Sequence, residues 1–152
     1  MLNGILRCVI VFDDASRLNY EEYVEFLRRT DLGSEYPKQN FRVRITKMLA
    51  NSDICITARN EDGKLVGVCL ALTDFAYLLF LTDLGVDRKF LRRGIGRELV
   101  KRAEDVAGGA ADITITAIAS KKALKFYKAC KLHPSPELVV KFCEEWEPFV
   151  VR

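Results

Sequence analysis

The stretch Thr82 to Lys101, TDLGVDRKFLRRGIGRELVK, constrains the fold more than any other part of the chain. Tyr77 to Val86, which runs into it, is rich in Leu, Phe and Val, the composition of a strand covered on both faces. From Ile95 onward, apolar residues recur at Ile95, Leu99, Ala103 and Val106, which is helical spacing. Between strand and helix lies Arg92-Arg93-Gly94-Ile95-Gly96. Glycines let the backbone come close and adopt positive φ, so that successive N–H groups converge on an anion. A helix N-terminus adds roughly half a positive charge and several unpaired donors. Arg92, Arg93 and Arg97 stand where they can neutralise phosphate oxygens. The plainer alternative is an ordinary strand–turn–helix whose glycines make the turn and whose arginines are solvated. Two phosphate loops are excluded: there is no GxxxxGK[ST], and Gly94 and Gly96 lack the third glycine of GxGxxG.

The remaining composition narrows the class. At 152 residues the chain reads as one domain, residues 1–152, large enough to bury a core. Its net charge of +3 is spread along the chain rather than massed, which argues against nucleic acid as a partner. Cys8, Cys55, Cys69, Cys130 and Cys143 show no CxxC and no metal spacing, and they fit a reducing cytoplasm as small core hydrophobes. With a single His133, no His-rich metal site is expected. No segment reads as a signal peptide or a membrane span, so a cytoplasmic protein without a membrane partner is expected.

Taken in order, Ile5 to Phe12 predicts a first strand, and Asn19 with Glu22 forms a capping box for a helix over about Tyr20 to Arg29. Thr30 to Gln39, with Gly33 and Pro37, reads as a mobile loop. A second helix follows from about Asn40 to Ala50. Asp53 to Arg59 and Lys64 to Leu72 are strands joined at Asp62-Gly63, a hairpin signal. The helix after the glycine loop stops at Gly108-Gly109. Asp112 to Ile118 alternates as a strand, Ser120 to about Cys130 is helical, and Leu138 to Phe142 is expected to close the sheet as a strand.

The order β-α-α-β-β-β-α-β-α-β, with a glycine loop after the fourth strand and Phe126-Tyr127 on the helix after the fifth, resembles the GNAT N-acetyltransferase superfamily over essentially the whole chain. The family's acetyl-CoA loop has the pattern Gln/Arg-x-x-Gly-x-Gly/Ala after a strand ending in a Val-Asp-like pair. Val86-Asp87 and Gly94-x-Gly96 match it, whereas Leu91 stands at the first loop position. Met48-Leu49-Ala50-Asn51-Ser52, Asp83-Leu84-Gly85-Val86 and Ala123-x-x-Phe126-Tyr127 extend the likeness to small bacterial-type members. The resemblance implies an α/β (α+β) fold whose mixed, mostly antiparallel central sheet is flanked by helices and splayed after the fourth strand. It also implies acetyl-CoA as acetyl donor, a primary amine of a small molecule or peptide as acceptor, direct attack without a covalent enzyme intermediate, and no metal.

The same resemblance assigns roles residue by residue. The pantetheine arm would pair with the backbone of Leu84, Gly85 and Val86, and the pyrophosphate would rest on Leu91, Arg92, Arg93, Gly94, Ile95 and Gly96, with Arg97 beside it. Ser120 stands where many relatives have an Asn contacting the coenzyme arm, and a plain helix N-cap is an equal reading. Tyr127 would protonate the departing thiolate; the alternative is a core tyrosine. Asp83 is the candidate general base, with a structural bond to loop N–H groups as the alternative and Thr82 as the other polar option. Cys130 is a candidate nucleophile that reads better as packing. Lys131 is costly at a left-handed helix end, by roughly 1 kcal/mol, so a different helix exit is expected there. A coenzyme A-binding or regulatory module without transferase activity would keep the loop and lose the amine pocket. Dimerisation is common among such domains, and nothing in the sequence fixes it here.

Overall fold

A computed structural model describes residues 8–34, 36–145, 147 and 150–152. Five strands lie side by side in chain order: β1 (Val11–Asp13), β2 (Ile54–Arg59), β3 (Leu65–Thr73), β4 (Leu78–Val86) and β5 (Thr114–Ala117). The first four are antiparallel neighbours, and β5 runs parallel to β4. The parallel pair follows from the connection, because only a helical crossover returns the chain in the same direction. That crossover is α3 (Ile95–Ala107).

Helices cover both faces of the sheet, which is why β2 and β3 are buried along nearly their whole length. On one face Ile95, Leu99, Val100, Ala103 and Ala107 of α3 pack on Ile54, Ile56, Val66, Cys69 and Leu81. On the other, α1 (Tyr20–Leu27) and α2 (Phe41–Asn51) bury Tyr23, Phe26, Leu27, Ile45 and Leu49 against Val68 and Leu70. Each fully buried Leu or Phe contributes about 1.5–3 kcal/mol, so the two clusters hold the sheet from both sides. The Asn19 cap forms as expected, its side chain accepting from the Glu22 N–H at 2.9 Å. Among the described residues no helix is long and apolar enough to cross a membrane.

Several boundaries differ from the sequence expectation. The first strand occupies Val11–Asp13 rather than 5–12, and residues 5–7 lie outside the described residues. The helix expected over 120–130 splits into a 3-10 turn, Lys121–Ala123, and a short α4 (Leu124–Ala129). Leu138 to Phe142 forms no strand: Leu138, Val139, Val140 and Phe142 are all exposed, and β-prone side chains without a face to bury gain little from pairing. The helix exit at Lys131 is also unlike the expectation. Lys131 takes the left-handed conformation (φ 66°), and the Leu132 N–H reaches back to the Tyr127 carbonyl at 2.9 Å. Closing the last turn offsets the cost of a left-handed lysine, so the exit is the ordinary one.

Candidate functional site

The site is organised by a break in β4. Leu70 pairs with Asp83 and Ala71 with Leu81, which leaves Thr82 as an extra residue in a bulge. The Thr82 hydroxyl donates to the Leu70 carbonyl at 3.1 Å and closes that bulge, so Thr82 is occupied structurally. Before the bulge, Leu79 and Leu81 face α3; after it, Leu84 and Val86 do. Asp83 and Gly85 therefore turn to the α1 side, where a Cβ on Gly85 would meet Leu32 and Phe26. A two-residue alternation read along the sequence cannot give that direction. At the same place β5 ends its pairing: only Leu78–Leu81 bond to Thr114–Ala117, and among the described residues Thr82 to Val86 have no strand partner on that side. The sheet is splayed there.

Asp83 is 7% exposed. Its Oδ2 accepts from the hydroxyls of Tyr23 and Tyr36, which lie 3.0 Å from each other. No described residue donates to its Oδ1. Burial raises the carboxyl above the ordinary Asp value, and the two hydroxyls oppose that rise without cancelling it. Tyr23 is itself raised well above its ordinary value, first by burial and then by Asp83 and Tyr36, so it stays protonated and donates. Tyr36 comes from the 30–39 loop, and its ring meets Phe41 edge-on at 5.9 Å.

Tyr127 stands on α4 and packs half-buried against the α3-side cluster, its ring 5.2 Å from that of Phe126. Burial, with smaller electrostatic contributions from Cys69, Cys130 and Asp83, pushes its phenol up to about 12. It is therefore a proton donor at neutral pH, and its hydroxyl has no hydrogen-bond partner among the described residues. Cys130, beside it, has its thiol raised by burial, which disfavours the thiolate that a nucleophile needs.

The loop after β4 begins at Asp87, which is 2% exposed and caps the 3-10 turn Arg88–Phe90 through the Lys89 N–H at 2.9 Å. Arg29 of the α1 exit forms an ion pair with Asp87. Two residues of the loop are left-handed, Arg92 (φ 62°) and Gly94 (φ 80°), and this turns the backbone into the N-terminus of α3. A Cβ on Gly94 would meet nothing within 4 Å, so the backbone there is open to a ligand. Gly96 serves differently: a Cβ there would lie 2.9 Å from the Phe126 ring, so the missing side chain admits α4. Gly96 thus has a packing role that the sequence alone did not indicate. Leu91, Arg92, Arg93 and Arg97 are exposed, while Ile95 is buried and anchors the helix. Arg93 lies over Phe90, 4.8 Å from its centroid, and donates to the Lys89 carbonyl at 3.2 Å. Ser120 is exposed at the N-cap position of its 3-10 turn, and its side chain makes no capping bond.

The fold thus gathers Asp83, the unpaired stretch Leu84 to Val86, the Leu91 to Arg97 loop and Tyr127 around the divergence of β4 and β5. The sequence alone gives Tyr23, Tyr36 and Arg29 no part in the site; their roles depend on partners 60, 47 and 58 residues away. Among the described residues there is no group of three or more His, Cys, Asp or Glu side chains that could hold a metal.

Residues 18–131 match the model of the Acetyltransferase (GNAT) family. No curated protein sequence matches the chain. Among solved structures, a GNAT-family acetyltransferase of Streptococcus pneumoniae is 18% identical, with 90% of this chain and all of that one covered and a TM-score of 0.69. A protein of methicillin-resistant Staphylococcus aureus is 16% identical over 90% and 100% of the two chains, with a TM-score of 0.72. An aminoglycoside acetyltransferase from an uncultured soil metagenomic sample, solved with sisomicin, is 22% identical over 91% and 97%, with a TM-score of 0.57.

Proposed function

The chain belongs to the Acetyltransferase (GNAT) family, and on that premise we propose that it moves an acetyl group from acetyl-CoA to a primary amine by direct attack of the amine on the thioester. The observation that carries this reading is the state of Asp83: one carboxylate oxygen is held by two tyrosine hydroxyls, and the other receives no bond from any described residue, beside the splay. An amine is mostly protonated at neutral pH and must lose a proton before it attacks. Asp83 Oδ1 takes that proton, directly or through a water. The amine nitrogen bonds to the thioester carbon, the carbon–sulfur bond breaks, and the Tyr127 hydroxyl gives its proton to the leaving thiolate; the nitrogen sheds its remaining extra proton to solvent, which re-protonates the Tyr127 phenolate.

The same geometry supports a place for the donor. The unpaired backbone of Leu84, Gly85 and Val86 accepts the pantetheine arm as a substitute strand. The open backbone at Gly94 and the N-terminus of α3 receive the pyrophosphate, with Arg92 and Arg97 as counter-charges. Leu91 contributes backbone rather than charge, and Ser120 is exposed near the start of the turn that leads into α4. The enzyme's work is then positioning plus two proton transfers.

Calorimetric titration with acetyl-CoA, followed by thiol release with a panel of amines, tests this. Tyr127→Phe should keep coenzyme affinity and lower turnover by about 10²–10⁴-fold. A Phe variant as fast as the parent removes Tyr127 from the mechanism. Gly94→Val forces a branched residue into a left-handed turn and should weaken coenzyme binding severely; unchanged affinity in a folded variant removes the loop assignment.

A further inference from the structure

A cleft of about 170 Å³ lies on the α1–α2 side of the sheet, lined by Tyr36, Pro37, Phe41, Arg44, Ile45 and Met48. Phe41, Arg44, Ile45 and Met48 fall at helical spacing on one side of α2, so the helix itself builds one wall. The opposite wall is Tyr36, whose hydroxyl bonds Asp83. The cleft therefore shares Tyr36 with the carboxylate proposed to take the amine proton.

Its chemistry is one-sided. Among the described residues, aromatic and aliphatic side chains make up the lining apart from Arg44, and none of the lining residues is a carboxylate. The cations that flank the lining in sequence are engaged elsewhere: Arg42 pairs with Glu21 and lies over the Tyr20 ring, and Lys38 pairs with Glu147. Arg44 has no ion pair among the described residues. A cation on the wall of an apolar cleft favours one anionic group and repels further positive charge.

We infer that the acceptor is an aromatic or apolar amine carrying a single anionic group, its amine at Asp83, its apolar body against Phe41 and Met48, and its anion on Arg44. Polycationic acceptors such as polyamines and aminoglycosides are disfavoured, in contrast to the structural relative that was solved with sisomicin. The inference rests on the transfer reading only for the place of the amine.

The test uses the full chain and matched probes. Phenylalanine is compared with phenethylamine, and tyramine phosphate with tyramine, so that carboxylate and phosphate are read separately; spermidine is the polycation. Binding is measured by titration, and transfer by thiol release. The anionic member of at least one pair should bind about tenfold tighter than its neutral partner, the size of one charge-assisted bond. Arg44→Gln should erase that difference, Arg44→Glu should invert it, and Arg44→Lys should keep part of it. Arg44 is exposed, so these variants fold. Equal binding within both pairs, a preference for spermidine, or a preference that survives Arg44→Gln overturns the inference. A charge preference in binding without turnover keeps it and counts instead against the transfer reading.

Discussion

Two carboxylates four positions apart, Asp83 and Asp87, are both buried, at 7% and 2% exposure, yet their acidities move in opposite directions. Burial is the largest influence on each and raises both. Around Asp83 only neutral hydroxyls oppose it, and the carboxyl stays above its ordinary 3.8. Around Asp87 the Lys89 N–H and the Arg29 guanidinium oppose it, and the carboxyl ends below 3.8. A hydroxyl stabilises the anion without supplying charge, so the group remains a usable base; a guanidinium makes the anion permanent and turns it into a structural part. One strand thus delivers a reactive carboxylate and a fixed one, distinguished only by what α1 and the 30–39 loop bring to each.

The largest expected effect separates the two by activity. Asp83→Asn should lower turnover by about 10²–10⁴-fold at neutral pH and recover in part at high pH, where the amine is already neutral. Asp87→Asn should leave turnover within a few-fold at saturating substrate. Equal loss in both variants, or equal loss at every pH for Asp83→Asn, would break the contrast.

Next comes stability. Asp87→Asn takes from Arg29 the more buried of its two carboxylate partners, leaving Glu25, and should cost about 2 kcal/mol in urea unfolding. Asp83→Asn keeps the shape and removes a buried charge, so its cost should be smaller, about 1 kcal/mol. A larger loss for Asp83→Asn would show that the tyrosine-bound carboxylate is the structural one.

The pH dependence of stability sharpens the same point through its sign. The folded Asp83 binds a proton more tightly than the unfolded one, so its contribution is present below about 3.8 and is lost as pH rises through the higher folded value. Asp87 is opposite: its contribution is present above 3.8 and is lost as pH falls through the lower folded value. Unfolding titrations of the two Asn variants against the parent should therefore diverge with opposite slopes.

The smallest effect is a fine adjustment. Tyr36→Phe removes one of the two bonds that hold Asp83 down, so the acid limb of the pH–rate profile should move to higher pH. An unmoved limb would mean that Tyr23 alone sets the carboxyl.

Much of this arrangement was legible in the residues themselves. The helical spacing from Ile95, the Asp62-Gly63 hairpin, the Asn19 cap and the Gly94 turn are local signals, each written in a few neighbouring residues, and the structure keeps all four. From them followed the order of elements and the resemblance of the loop. Tertiary structure decided the rest. It set the direction of Asp83 through an unpaired Thr82 and made Gly96 a contact for Phe126. It closed α4 on a left-handed lysine and left Leu138 to Phe142 without a strand partner. A bulge shifts alternation only relative to the strand it pairs with, and a carboxylate's acidity depends on groups brought by distant elements. Neither is a property of any short stretch of sequence, so both appear only when the chain has packed.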